Sequence, residues 1–409
     1  MLSSHALSTS LHFLHTSIPS PLPMNRRFKS YVRKVHLWLG LASGLIVFIV
    51  ALTGAGWVFQ EEINQLWGEK YPVEAKGGAF ITPTQARAHA QQVFPDRTIH
   101  GTAYGQPDEP VEVIFYQAEP EFYRSVFLDP YSGKVLGTKD HRNGFFGFLL
   151  RGHIYLWIPN RVLGYALTSY GTLIFVVMLL TGLILWWPKK RKGLKQRLTF
   201  DWKSSTRWRR KNFDLHTVVG FYAFALALVI GYTGLVMSLG WVKTATYRAL
   251  GGDKNPKFAI PANSSYPDAS TDSDIAIIDQ LVPRLRAEVP DYEEIEVHYP
   301  ATDSSGIYVE LRTQREVYYS ADFRFFDQRT GQELQSESVY GRYEDAGVAD
   351  KILRMNYDIH IGAIGGLPGK IIAFVISLLI ASLPITGTLL WWGRRKKAKR
   401  PKRAELARS

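Results

Sequence analysis

Four stretches of the chain are apolar on every side: Leu37–Phe59, Leu163–Trp187, Phe213–Leu239 and Leu367–Trp392. Each is close to the length, about 20 residues, with which a helix crosses about 30 Å of hydrocarbon. Within them Leu45–Leu52, Ile174–Ile184, Ala223–Ile230 and Ile371–Leu383 carry no charge, so they lack the one-sided stripe of a soluble core helix. Four membrane spans are predicted. Between the spans the pattern shortens. Thr82–Phe94 places Ala86, Ala90 and Val93 at helical spacing before Pro95-Asp96, and Ile275–Val289 repeats this before Pro290-Asp291. Alternating runs follow, Val111–Phe115 and Phe122–Leu128, then Ile307–Leu311 and Val317–Phe326. Turn residues close each series, Asp129-Pro130-Tyr131-Ser132-Gly133 and Asp327-Gln328-Arg329-Thr330-Gly331. The predicted fold is an α-helical bundle of four spans with two extracytoplasmic α+β domains, each a helix on a small antiparallel sheet.

The landmarks recur in order, which predicts two tandem repeats. His36 precedes Gly40 by four residues and Thr53-Gly54 by seventeen; His216 stands in the same relation to Gly220 and Thr233-Gly234. Thr181-Gly182 falls five residues before Trp186-Trp187, and Thr386-Gly387 five before Trp391-Trp392. Basic runs follow both, Lys189–Lys192 and Arg394–Lys397. Each unit has two spans and returns to the side it left, so the repeats are expected to be parallel, related by an axis along the membrane normal. The Trp pairs are read as interfacial anchors.

Charge orients the bundle. The net charge of +13 is concentrated in residues 1–34, 188–211 and 393–409, and the remainder is net acidic. By the positive-inside rule these three segments are cytoplasmic, and no nucleic-acid role is needed to explain them. The expected layout is a disordered extension 1–25, a first span 26–59, an outer domain 60–144, an interfacial segment and second span 145–192, and a basic loop 193–211. A third span 212–240, a second outer domain 241–350, an interfacial segment and fourth span 351–393, and a basic tail 394–409 complete it. Met24 is an alternative start, and His5, His12 and His15 before it are read as functionless. The absence of cysteine excludes iron–sulfur ligation, disulfides and c-type haem attachment.

The Lys34-Val35-His36-Leu37-Trp38-Leu39-Gly40 start of the first span, the outer segment ending Leu128-Asp129-Pro130-Tyr131-Ser132-Gly133-Lys134-Val135, and the Thr-Gly-x-x-x-Trp-Trp exits resemble the PepSY-associated transmembrane proteins. The resemblance covers residues 26 to about 398; Gln328 departs from it where the turn has proline. Members are often called iron-regulated membrane proteins, and some are di-haem reductases of ferric siderophores. The resemblance implies the bacterial inner membrane, periplasmic outer domains and a ferric siderophore as acceptor.

Histidine is the commonest neutral metal ligand and is costly to bury in lipid without a partner. Four border the spans: His36 and His216 at the cytoplasmic starts of spans one and three, His153 and His360 on the outer side before spans two and four. Residues at one depth can supply both axial ligands of a haem held between helices, which pairs His36 with His216 and His153 with His360. Two b-type haems are expected. Gly40 and Gly220, one turn after their histidines, leave room for a flat macrocycle. Arg33, Lys34 and Lys211 inside, and Arg151, Arg161, Arg354 and Lys370 outside, are candidate propionate partners; snorkelling to the interface is the alternative for each. Met355, Met178 and Met237 leave a His/Met centre open. His89, His100, His141 and His298 fall in the outer domains and are read as surface residues.

No dinucleotide loop, Walker motif, His-Glu-x-x-His or identifiable Ser/His/Asp cluster is present. A reductase built on this chain would therefore draw electrons from a quinol or a separate donor. The leading expectation is a transmembrane electron conduit that reduces ferric siderophore outside. Two alternatives stand beside it: a non-enzymatic scaffold whose outer domains bind or restrain a peptidase, and a metal transporter or sensor using the histidines directly.

Overall fold

The computed structural model describes residues 25–188, 193–264 and 276–398. The expected extension to Met24 with its three histidines, the run Lys189–Lys192 and residues 399–409 lie outside the described residues. In chain order the first half contains α1 (Arg26–Trp57), α2 (Gln60–Trp67), α3 (Pro83–Gln91), β1 (Ile99–Tyr104), β2 (Val111–Gln117), β3 (Phe122–Leu128), β4 (Val135–Asp140), α4 (Phe145–Tyr155) and α5 (Arg161–Trp186). A short α6 (Lys195–Leu198) leads to α7 (Trp208–Asp214), a π-helical turn Leu215–Val219, α8 (Gly220–Ser238) and α9 (Gly240–Ala249). The chain continues with α10 (Ile277–Glu288), β5 (Glu294–His298), β6 (Ile307–Arg312), β7 (Asp322–Phe326) and β8 (Glu333–Leu334). It ends in α11 (Val348–Arg354), α12 (Asn356–Ile361), a 3-10 turn Ala363–Gly365 and α13 (Gly366–Ala398).

Among the described residues, four helical stretches are long and apolar enough to cross a membrane: Arg26–Trp57, Arg161–Trp186, Trp208–Ser238 and Ala363–Arg395. They match the four expected runs. Asn25 caps α1 by accepting from the Arg27 N–H, and Asn160 caps α5 by accepting from that of Leu163. Val47, Leu179, Ala223, Ala227, Ile376 and Ile380 meet in the bundle, drawing on all four stretches. Ala223, Ala227 and Gly231, four residues apart on α8, are all buried, a small-residue stripe that lets neighbouring helices approach closely.

The outer segments differ from expectation in one respect. They form not two small sheets but a single antiparallel sheet of order β4-β3-β2-β1-β5-β6-β7-β8. The joint is β1 against β5, with Gly101 opposite His298, Thr102 opposite Val297 and Ala103 opposite Glu296. Pairing them removes two exposed strand edges. One face is covered by α3 and α10, whose Ala86, Ala90, Leu281 and Leu285 pack on Val113, Phe115, Val297 and Val309. A capping box between Thr82 and Gln85 starts α3. Both turns form alike: Asp129 Oδ1 accepts from the Tyr131 and Ser132 N–H groups, and Asp327 Oδ1 from those of Arg329 and Thr330. Gly133 and Gly331 follow at φ 70° and 67°. Gln328 therefore replaces proline without loss of the turn.

The sheet is tied to the bundle by buried polar contacts. Lys370 of α13 is 1% exposed and pairs with Glu62 at 2.7 Å and Glu61 at 3.2 Å. The Tyr318 hydroxyl donates to Glu61, and the Tyr318 N–H to the buried Asp358 at 3.0 Å. The loop between β6 and β7 is thus fixed to the α1–α2 corner and to α12.

Candidate functional site

The structure brings the four span-bordering histidines together in two pairs. Ring centroids of His36 and His216 are 6.5 Å apart and those of His153 and His360 are 6.1 Å apart, the rings inclined at 80° and 61°. Two metal–nitrogen bonds of about 2 Å, with about 1 Å from each nitrogen to its ring centre, require about 6 Å between two imidazoles that share one metal. Both pairs have that spacing.

Each ring is held by Nδ1. His36 Nδ1 lies 2.9 Å from Thr181 Oγ1, and His216 Nδ1 2.9 Å from Thr386 Oγ1. His360 Nδ1 lies 3.0 Å from both Thr233 Oγ1 and the Ile230 carbonyl; His153 Nδ1 lies 2.9 Å from the Val50 carbonyl. A carbonyl can only accept, so His153 and His360 carry their proton on Nδ1. The threonine hydroxyls are committed as donors to their own helices, Thr181 to Val177 and Met178 and Thr386 to Ser382 and Leu383. They too accept from the histidines. All four imidazoles are thereby fixed as Nδ1–H tautomers, which leaves the lone pair on Nε2.

The four Thr-Gly landmarks now acquire a physical role. A Cβ at Gly54 would sit 2.9 Å from Cε1 of His153; at Gly182, Gly234 and Gly387 it would sit 3.3 Å from Cε1 of His36, His360 and His216. Each glycine makes room for one imidazole, and at three of them the preceding threonine, Thr181, Thr233 or Thr386, meets the Nδ1 of that same ring. The sequence displayed these pairs as repeat markers without connecting them to the histidines, which stand far from them in the chain.

Local geometry aims the rings. His216 lies on the π-helical turn, whose altered hydrogen bonding re-aims a side chain inside a helix. His153 belongs to α4, which enters the bundle: Val50 is seven residues before the end of α1, about 10 Å below it at 1.5 Å per residue. The chain then reverses through Leu156 and Trp157 at φ 54° and 56°, a left-handed pair of non-glycine residues that costs about 1–3 kcal/mol each. The Trp157 indole N–H donates to the Phe148 carbonyl at 2.8 Å, and Gly152 admits its ring. From His36 to Val50 is fourteen residues, so the two pairs lie about 20 Å apart along α1.

A cavity of about 700 Å³ surrounds the His36–His216 pair, within the range of about 300–1,000 Å³ usual for cofactor and ligand sites. Gly40, Gly182, Gly220 and Gly387 all line it, as do Arg33, Arg197 and Arg394. Arg33 was expected there; Arg197 and Arg394 were not singled out, being two among many residues of the basic runs. Lys211 instead lies over the Trp202 ring. Met178 lines the same cavity, its Cε where a side chain at residue 40 would stand.

The four cations expected on the outer side have protein partners. Arg161 pairs with Glu121, Arg151 donates to the Arg142 carbonyl, Arg354 to those of Gly341 and Ala321, and Lys370 pairs as described. These groups act as ties between the sheet and the bundle. The outer histidines also differ from expectation: only His100 is exposed. His298 is largely buried and stacks on Tyr308, while His141 stacks on Tyr123 and meets Ser125 at 2.7 Å.

A bundle of four apolar helical stretches, with paired histidines and an antiparallel sheet joined to it, defines a membrane protein that carries a separate eight-stranded sheet region. Residues 33–394 match the family described as PepSY-associated TM region, and the chain belongs to that family. No curated protein matches the chain.

Proposed function

We propose that the protein holds two b-type haems, one at each histidine pair, and passes electrons across the bacterial inner membrane to reduce a ferric siderophore on the sheet side, releasing ferrous iron. The observation that carries this reading is the arrangement of His36/His216 and His153/His360: two pairs at metal-sharing distance, every Nδ1 engaged, every Nε2 lone pair left for a metal. The two halves are read as tandem copies, each holding its own two histidines and offering them to those of the other half. The basic ends of the spans support an orientation with the His36–His216 pair toward the cytoplasm and the sheet toward the periplasm.

At the His36–His216 pair the residues fit such a group. The glycine-walled cavity accepts a flat ligand, and Arg33, Arg197 and Arg394 on its wall suit carboxylates carried at its edge. When bound, haem supplies reversible one-electron chemistry whose potential follows from axial ligands and burial. The chain's own contribution is to fix four imidazoles in one tautomer, exclude water from the bundle and set the pairs about 20 Å apart along the membrane normal. Ferric ion prefers hard oxygen chelators; reduction weakens that hold. The siderophore is supported by family membership, and a quinol or separate protein is the electron source.

The functional test is reoxidation. Protein reduced with dithionite is mixed anaerobically with a ferric hydroxamate, and ferrous iron is trapped by a colorimetric chelator. The wild type is expected to be reoxidised with ferrous iron formed, and the His153→Ala/His360→Ala variant to keep its remaining absorption reduced. A colourless wild-type protein would favour a scaffold for a peptidase, or direct metal transport or sensing by the histidines.

A further inference from the structure

The seam between β1 and β5 gathers three donor groups outside the bundle. The register of β1 against β2 shifts between Ile99 and Gly101, so His100 is the additional residue of a β-bulge. Bulges re-aim side chains. Here Ile99 stays in the core under α3 and α10, and His100 turns to the opposite face, where β5 presents Glu296 and His298 two residues apart. Gly101 of the bulge keeps that face open: a Cβ there would stand 3.3 Å from both Glu296 Oε1 and His298 Nδ1.

The donor atoms of His100, Glu296 and His298 all lie within 4.8 Å of one another. His298 Nε2 is 3.3 Å from Glu296 Oε1, is buried, and makes no hydrogen bond among the described residues. In a tetrahedral site with bonds of about 2.1 Å, neighbouring donor atoms stand about 3.4 Å apart. Arg312, a positive charge that acts on both Glu296 and His298, is paired with Glu310 and with Glu294 at 3.1 Å. His100 is exposed and offers a path from solvent.

We infer that His100, Glu296 and His298 form a binding site for a divalent first-row transition cation on the β1–β5 seam. Two imidazoles and one carboxylate are the donor set of zinc sites with an open position and of non-haem ferrous sites. One ligand comes from the first half of the chain and two from the second, so the bound ion clips the halves of the sheet together. The site lies outside the bundle and is independent of the haem reading.

The test uses the full-length, tag-free protein in detergent, stripped with a chelator and titrated calorimetrically with zinc chloride. One equivalent is expected to bind, and to raise the melting temperature of the protein. His100→Ala, at an exposed position, and Glu296→Gln are expected to lose that equivalent and the thermal shift while their circular dichroism and metal-free melting temperature are unchanged. Absence of zinc binding by the wild type, or binding undiminished in His100→Ala, would overturn the inference.

Discussion

Thr386 holds His216: the histidine Nδ1–H reaches the threonine hydroxyl oxygen at 2.9 Å, while that hydroxyl returns its own proton to the carbonyls of Ser382 and Leu383. The contact joins two residues 170 positions apart. It explains why threonine stands there: valine would fill the volume but accept nothing. Thr386→Val and Thr181→Val are expected to leave a buried imidazole N–H unpaired, at a cost of about 1–3 kcal/mol. Loss of such an outer partner typically weakens metal ligation about 10- to 100-fold. The check is haem retention during dilution, with only the His36–His216 centre affected; equal retention would show that the hydroxyls do not orient the ligands.

The glycines predict a complementary result by steric means. Gly54→Val, whose Cβ meets His153 most closely, is expected to displace the sheet-end ligand, and Gly182→Val the ligand at the basic end. Low-temperature optical or paramagnetic resonance spectra of the two variants should each lose one of two low-spin signals, and different ones. Loss of the same signal in both would break the assignment of glycine to histidine.

Methionine at the cavity wall gives a sharper ligand test. Met178 lies against Gly40 in the same cavity as His36, so a His/Met centre has a named candidate. Met178→Leu conserves volume, and its packing cost is expected below about 1.5 kcal/mol. With histidine on both sides, the absorption spectrum stays unchanged; disappearance of a sulfur–iron charge-transfer band on substitution would move one ligand to Met178.

At the far edge of the sheet, Arg324 has a side chain only 1% exposed and pairs with Glu333 and Glu288. Burial alone would raise the Glu333 carboxyl, but hydrogen bonds from Arg342 and Arg324 outweigh it and hold it down at about 2. A depressed carboxyl stabilises the fold above its ordinary value near 4.5 and loses that contribution as pH falls toward about 2. Glu333→Gln is expected to cost about 2 kcal/mol at neutral pH. The calorimetric difference from wild type should shrink as pH falls below about 4; a difference independent of pH would assign the effect to packing.

Much of this architecture was legible in the chain because its signals are local. Four uncharged runs marked the spans, and the Asp129–Gly133 and Asp327–Gly331 turns marked the ends of two hairpins. The histidine pairs followed from offsets, since His36 and His216 stand in the same place in each half. Strands β1 and β5 were missed because their polar faces break the apolar run: β1 contains a bulge at His100-Gly101, and β5 alternates carboxylates with Ile295 and Val297. The mutual pairing of the strands, and with it the meeting of His100 and His298, is a long-range fact that no local pattern encodes. The partners of Lys370 are hidden for the same reason: Glu61 and Glu62 lie more than 300 residues away.

The central claim is that the four bundle histidines ligate two haems, and haem stoichiometry tests it most directly. Purified protein should show a Soret band and two protohaems per chain by pyridine haemochrome assay. His36→Ala/His216→Ala should retain one and the quadruple substitution with His153→Ala and His360→Ala none, with the sheet still folded. A wild-type protein without a Soret band, or a quadruple variant with its haem content intact, would contradict the account.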